Sequence, residues 1–271
     1  MHSWIDGQPA TAVNLQNRGL AYGDGLFETI AVKAGHPALL EGHLERLALG
    51  CQRLAIQVDI ALVRDEILRY ASALGNGVAK LILTRGDSQR GYAPALGSLS
   101  RRILQAASTP SYPACNAEQG VRLYPCLTRL AEQPRLAGLK HLNRLEQVLA
   151  RAEWQDSEHA EGLMRDTSGR VIEGVYSNLF IVRANVLQTA ELSRCGVAGV
   201  MRAALLELAP GLGIPAQVRD LSLSDLEMAD EVFLCNSVYG VWPVCAFAAS
   251  NWSPGPLTRR LQAVAQTLLD A

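Results

Sequence analysis

The stretch Leu136-Ala137-Gly138-Leu139-Lys140-His141-Leu142-Asn143-Arg144-Leu145-Glu146-Gln147 places a lysine among leucines at the entrance to a helical pattern. Leu142, Leu145, Leu149 and Ala152 recur at helical spacing, which predicts a helix over 143–153. An amine held among apolar side chains loses hydration. That loss lowers its pKa and makes it a better nucleophile. The same setting also suits a lysine whose stem covers apolar surface while its head stays in water.

Downstream of Lys140 the pattern changes to short strands. Glu161–Arg165, Val171–Glu173 and Asn178–Val182 read as strands, the first two joined by a Thr167-Ser168-Gly169 turn. Glu173 ends its strand in Val171-Ile172-Glu173-Gly174, where it is either a functional carboxylate or an ordinary surface strand residue. Gly196-Val197-Ala198-Gly199 leads into a helix at Val200–Ala209. Glycines there let backbone approach an anion at a helix N-terminus, although a plain turn explains them equally. Further strands over 231–235 and 241–246 and a final helix over 257–269 complete this half.

Upstream, the first hundred residues mix both element types. Trp4-Ile5-Asp6-Gly7 reads as a strand entering a turn. Phe27–Lys33 reads as a strand, turning at Ala34-Gly35 and returning over Ala38–Leu40. Helices are predicted over 41–54, with Leu44, Leu47, Leu49, Cys51 and Leu54 on the apolar side, and over 59–74. Arg46 falls off that apolar side, where a solvated face would be its ordinary role. Strands follow over 79–84 and 101–107, separated by the long Gly/Ser/Pro-bearing loop 85–100. A strand at 121–124 opens the second half. The reading is α+β, with an N-terminal α+β domain over 1–107, a linker over 108–119 and a C-terminal domain over 120–271.

Composition excludes several classes. The 271 residues are 49% hydrophobic and 19% charged with a formal net charge of -1, so nucleic-acid and anionic-membrane binding have no electrostatic support. The six cysteines form no CxxC pair and no metal-like spacing with histidine, which predicts no metal site. They read as small buried hydrophobes in a reducing compartment. The first residues lack the cationic and apolar runs of a signal peptide, and the uncharged stretch 232–258 contains prolines that argue against a spanning helix. The expectation is a cytoplasmic protein. HExxH, GxSxG, GxxxxGK[ST] and GxGxxG motifs are missing.

Taken together, Lys140, Glu173, Arg46 and the Gly196–Gly199 segment resemble the class IV aminotransferase family, the fold-type IV pyridoxal-phosphate enzymes. The similarity runs from Tyr22-Gly23-Asp24-Gly25-Leu26-Phe27-Glu28 through His43-Leu44-Glu45-Arg46-Leu47 to Ala229-Asp230-Glu231-Val232-Phe233. It implies two domains, the second with a barrel-like sheet, the cofactor pyridoxal 5'-phosphate (PLP) lying between them, and a homodimer. By the same resemblance Lys140 holds PLP as a Schiff base and moves the substrate proton. Glu173 faces the pyridine nitrogen, and Arg46, the N–H groups of Val200 and Met201 and the Ser237 hydroxyl bind the phosphate. The transaminase branch often has threonine where Met201 stands, so one side-chain phosphate contact is expected to be missing.

The lysine segment, with Arg85-Gly86 and Arg90-Gly91-Tyr92, is similar to the lyase branch of the family. That implies elimination of pyruvate from a small-molecule cyclic amine to leave 4-aminobenzoate, a step towards folate. The alternative is a branched-chain or D-amino acid aminotransferase, and a third reading is a non-catalytic PLP carrier. Thr29 matches a threonine of the lyase branch and is expected to assist the departing group, though a β-branched residue also suits a strand. Arg90, Tyr92 and Asn236 are the candidates for binding the substrate's carboxylates, the first two from a loop that reaches either its own site or a neighbouring subunit's.

Overall fold

The computed structural model describes residues 3–88, 91–94 and 97–271. The chain divides into two units. One comprises Met1–Pro110, Leu139–Asn143 and Asp270–Ala271; the other comprises Ser111–Gly138 and Arg144–Leu269. Lys140 and its immediate neighbours, Leu139–Asn143, therefore belong with the first unit although they are flanked in sequence by the second.

The first unit carries β1 (Trp4–Ile5), β2 (Gln8–Pro9), α1 (Arg18–Tyr22), β3 (Gly25–Lys33), β4 (His36–Pro37), α2 (Leu40–Leu54), α3 (Ile60–Leu74), β5 (Gly77–Thr84) and β6 (Arg101–Ala107). Its strands form an antiparallel sheet in the order β2-β1-β6-β5-β3-β4. Strand alternation sends Leu26, Glu28, Ile30 and Val32 inward. Leu44, Leu47 and Cys51 of α2 join Val63, Ile67 and Tyr70 of α3 in the core beneath them. Gly50 lets α2 lie close to β3, since a Cβ there would stand 2.7 Å from Leu26 Cδ1. Asp59 caps α3 by accepting from Leu62 N–H at 3.1 Å.

Two expectations for this unit need correction. The returning strand is His36–Pro37, not Ala38–Leu40. Ala34 and Gly35 both take positive φ (49° and 81°), which closes the hairpin tightly and leaves Leu40 to begin α2. Leu49 is exposed rather than packed, because the buried side of α2 runs through His43, Leu44, Leu47, Gly50 and Cys51.

The second unit carries α4 (Ala114–Glu118), β7 (Val121–Leu130), α5 (Leu145–Ala152), β8 (His159–Asp166), β9 (Val171–Gly174), β10 (Asn178–Arg183), β11 (Val186–Ala190), α6 (Val200–Leu208), β12 (Ala216–Arg219), α7 (Leu223–Glu227), β13 (Glu231–Asn236), β14 (Gly240–Phe247), β15 (Ser250–Asn251) and α8 (Pro256–Asp270). Strands β10, β13, β14, β7, β8 and β9 pair in that order, and β9 pairs back to β10, so this part of the sheet closes into a barrel. Leu179 and Ile181 of β10 enter the larger core with Leu123, Leu163, Ile172 and Leu234. Phe180 stacks on Phe233 instead, with ring centroids 5.0 Å apart.

Strands buried on both faces explain why these segments read as continuous apolar runs rather than alternating ones. Strand β7 runs through Pro125 to Leu130, with its pairing irregular between Pro125 and Arg129, as a proline in a strand requires. The apolar stripe of α5 is not its packed face: Leu145, Val148 and Leu149 are exposed, and Ala150 is buried. All six cysteines are free; Cys51, Cys126, Cys195 and Cys235 are buried, but Cys115 on α4 is exposed. Among the described residues, no helix is long and apolar enough to cross a membrane.

Candidate active site

In the first unit the lysine segment runs against the start of β3. Phe27 N–H donates to Lys140 O at 2.9 Å and Leu142 N–H to Gly25 O at 3.0 Å, so backbone bonds hold Lys140 itself and the residue two further on. Gly25 must be glycine for this approach, since a Cβ would stand 2.3 Å from Leu83 O and 2.9 Å from Leu142 Cδ1. Leu139 is buried in the core, while Lys140 is half-buried with its Nζ 4.4 Å from the Phe27 ring centroid. Thr29 follows Phe27 by two residues and so shares its face of β3. Lys80, paired with Thr29 across the sheet, also lies over the Phe27 ring, at 5.4 Å.

The opposite face of β3 holds a buried charged group. Glu28 accepts from Arg46 Nε at 2.8 Å and from a second Arg46 nitrogen, and from His43 Nδ1 at 2.6 Å. Burial alone would raise the Glu28 pKa, but Arg46 and His43 together hold it down to about 2. Burial pushes His43 down against the opposing Glu28 charge, which favours a neutral ring whose Nδ1–H meets the Glu28 carboxylate. Arg46 is thus an anchored guanidinium with five N–H donors, not a solvated one.

The loop candidates divide. Tyr92 is 86% exposed and its ring lies 5.5 Å from Tyr22. Arg18 is buried and donates to Tyr92 O, Gly91 O, Ser88 Oγ and Asp24 Oδ2. Arg85 donates to the same Asp24 carboxylate. Arg90 lies outside the described residues.

In the second unit Glu173 sits where β9 meets β10. Its Oε2 accepts from Val197 N–H at 2.8 Å and from Asn178 Nδ2 at 3.4 Å, and Asn178 Nδ2 also donates to Val197 O at 2.8 Å. Gly138 N–H donates to Gly196 O at 2.9 Å and Ala198 N–H to Gly138 O at 3.0 Å, pinning the Gly196–Gly199 segment. Gly196 has φ +82°, and Gly199 has no room for a side chain, since a Cβ would stand 1.9 Å from Asn178 Oδ1. Helix α6 begins immediately after. No side chain caps it, and the N–H groups of Val200 and Met201 have no partner within the helix. The Met201 side chain is fully buried in the core.

Ser237 lies in the turn between β13 and β14, beside Asn236. The Asn236 Oδ1 already accepts from Val238 and Tyr239 N–H, both at 2.9 Å, so that oxygen shapes the turn. Arg144 stands at the N-terminus of α5 without a side-chain cap bond; burial pushes its pKa down, and the charges of Glu173 and Glu146 oppose that.

Within each unit the chemistry fits PLP: an amine beside an aromatic ring and an anchored arginine in the first, an oriented carboxylate and an uncapped helix start in the second. Sequence reading missed Asn178 and Arg144. Both were present in the quoted motifs, but nothing in the one-dimensional pattern showed that either would face Glu173.

A family model for amino-transferase class IV matches residues 25–247, and the chain belongs to that family. It is 39% identical to the aminodeoxychorismate lyase of Vibrio harveyi over 264 residues, covering 96% of this chain and 97% of that protein. The crystal structure of 4-amino-4-deoxychorismate lyase from Pseudomonas aeruginosa superposes with a TM-score of 0.97 at 59% identity, covering 99% of this chain and 100% of that one. The Escherichia coli branched-chain amino acid aminotransferase gives a TM-score of 0.84 at 26% identity, covering 99% and 94%. The fold-type IV architecture expected from the sequence is the one found.

Proposed function

We propose that this protein is a PLP-dependent lyase converting 4-amino-4-deoxychorismate to 4-aminobenzoate and pyruvate, a step of folate synthesis, and that it works as a cytoplasmic homodimer. The observation that carries the reading is the 59% identity, across the whole chain, to a 4-amino-4-deoxychorismate lyase structure. The branched-chain aminotransferase shares the fold at less than half that identity.

When bound, PLP supplies an electron sink for negative charge developing beside the substrate amine. Lys140 is the residue to hold it, and its Nζ is the base that takes the ring proton next to that amine. Glu173 keeps a proton on the pyridine nitrogen; the Val197 N–H and Asn178 bonds orient its carboxylate for that task. Arg46, fixed by Glu28, binds phosphate with charge-assisted bonds, joined by the N–H groups of Val200 and Met201 and the Ser237 hydroxyl. Thr29 shares the Phe27 face of β3 and is the group to pass a proton to the departing enolpyruvyl unit. Arg90 and Tyr92, with Asn236, are assigned to the substrate's two carboxylates.

The reaction balances without water or oxidant: one ring C–H and one C–O bond break, and the product ring becomes aromatic. The test is to supply 4-amino-4-deoxychorismate to the purified protein and measure both products. Equal amounts of 4-aminobenzoate and pyruvate support the reading. Keto-acid formation from branched-chain or D-amino acids, with no 4-aminobenzoate, would replace it with the transaminase.

A further inference from the structure

Glu161 lies on β8 with no solvent exposure, and the chemistry above leaves it unused. Its Oε1 accepts from Gly162 N–H and Val175 N–H, both at 2.9 Å; its Oε2 accepts from Ser177 Oγ at 2.8 Å and Tyr176 N–H at 3.3 Å. Three of these donors belong to the turn that joins β9, ending in Glu173 and Gly174, to β10, starting at Asn178. Gly174 N–H closes the same turn by donating to Ser177 O at 2.8 Å. A Cβ on Gly174 would stand 2.2 Å from Ser177 Oγ and 3.0 Å from the Glu161 carboxyl, so the turn is wrapped tightly on this one side chain.

We infer that Glu161 is a positioning residue for Glu173, because its carboxylate is the fixed point around which the Gly174–Ser177 turn is built and so sets where Glu173 and Asn178 meet. This rests on the proposed role of Glu173. All four donors point at carboxylate oxygens, so the arrangement calls for the ionised form. A proton on either oxygen would confront an N–H with an O–H, unless Ser177 turned its hydroxyl away.

Burial works against that ionised form and pushes Glu161 up to about 7, even though the Gly162, Ser177, Val175 and Tyr176 bonds pull it down. The titratable groups facing it are Tyr112, Tyr176, Tyr239 and Cys126, and each is raised first by its own burial and further by the Glu161 charge. A carboxyl raised in the folded state takes up a proton on folding. The stability contributed by this group is therefore greatest at low pH and declines as pH rises from the ordinary carboxylate range through about 7. The ionised group thus costs stability in the pH range where it sets the turn.

The test compares the wild-type holoenzyme with Glu161→Gln and Ser177→Ala. Three quantities are read: backbone hydrogen exchange across 173–178 at one fixed pH, kcat and KM from pH 5.5 to 8.5, and melting temperature across that range. A glutamine keeps the size but turns an N–H toward Tyr176 N–H. Exchange in the turn should rise about tenfold or more. The kcat should fall roughly tenfold while KM changes less than about twofold. The acid limb of kcat near pH 7 should vanish in Glu161→Gln. In Ser177→Ala, which loses a donor, it should move to higher pH. The melting temperature of Glu161→Gln relative to wild type should climb as pH rises, the opposite of what loss of a merely structural bond gives. Wild-type exchange in the turn together with an unmoved acid limb in Glu161→Gln would overturn the inference. Exchange is read whether or not 4-aminobenzoate forms, so a wild-type protein inactive as a lyase defeats the functional reading and leaves exchange and melting to decide Glu161.

Discussion

Glu173 and Asn178 face each other across the seam at which the barrel closes, and the Asn178 amide reaches the Glu173 carboxylate at 3.4 Å. One side chain thus ties the closing strand, the Val197 carbonyl and the candidate cofactor carboxylate together. Asn178→Ala should leave a folded protein with Glu173 poorly oriented, and PLP affinity measured by spectral titration should fall about tenfold. Unchanged affinity would reduce Asn178 to a strand residue. Glu173→Gln should keep the cofactor but slow turnover, because an amide cannot hold the pyridinium proton. Wild-type kcat in that variant would remove the assigned role.

The Glu28 group predicts a specific acid response. Its carboxyl is held at about 2, below the usual carboxylate value near 4.5, so it binds fewer protons folded than unfolded. The stability this provides is complete above about pH 4.5 and is lost as pH falls towards 2, a difference on the order of 3 kcal/mol. Denaturant midpoints of wild type and Glu28→Gln should therefore converge over that window. Midpoints that stay parallel from pH 6 to 2 would show that the pair with Arg46 and His43 does not stabilise the fold.

Arg46→Ala removes both the proposed phosphate ligand and the partner of a buried carboxylate. Cofactor affinity should drop roughly tenfold or more. Equilibrium dialysis against PLP reads this directly, and wild-type affinity would end the phosphate assignment.

Thr29→Ala separates elimination from transamination. A positioned proton donor typically contributes ~10²–10⁴-fold. The variant should lose 4-aminobenzoate formation on that scale while keeping the cofactor's visible spectrum and any slow transamination of simple amino acids. Full lyase activity would return Thr29 to its place as a strand residue paired with Lys80.

Arg90→Ala should raise KM for 4-amino-4-deoxychorismate and leave PLP affinity alone. Wild-type KM would shift attention to Arg85, although Asp24 already engages that guanidinium.

Most elements were legible because their cues are local. The β3 strand, the α2 and α3 helices and the Thr167-Ser168-Gly169 turn all follow from periodicity and turn residues. Strands β2, β11, β12 and β15 and helices α1, α4 and α7 were missed. The hairpin from β10 to β11 turns on Ala184 and Asn185 at positive φ, without the glycine that usually signals such a turn. At the candidate site, Lys140 and Glu173 were singled out by the family resemblance, because each alone reads equally as an ordinary surface residue. Glu161 was not, since its neighbours in sequence look like any strand. Its burial comes from β8 packing under a turn more than ten residues further along the chain. Long-range closure of a barrel leaves little trace in a local pattern.

The most direct test of the account is where the cofactor attaches. The sequence contains three lysines, Lys33, Lys80 and Lys140, and Lys80 is a fair competitor because it also lies over the Phe27 ring. The protein is loaded with PLP, reduced with borohydride, digested and mapped by mass spectrometry. A single modified peptide containing Lys140 is expected, and no modification in Lys140→Ala. A reduced adduct on Lys80 or Lys33 in the wild-type protein would contradict it.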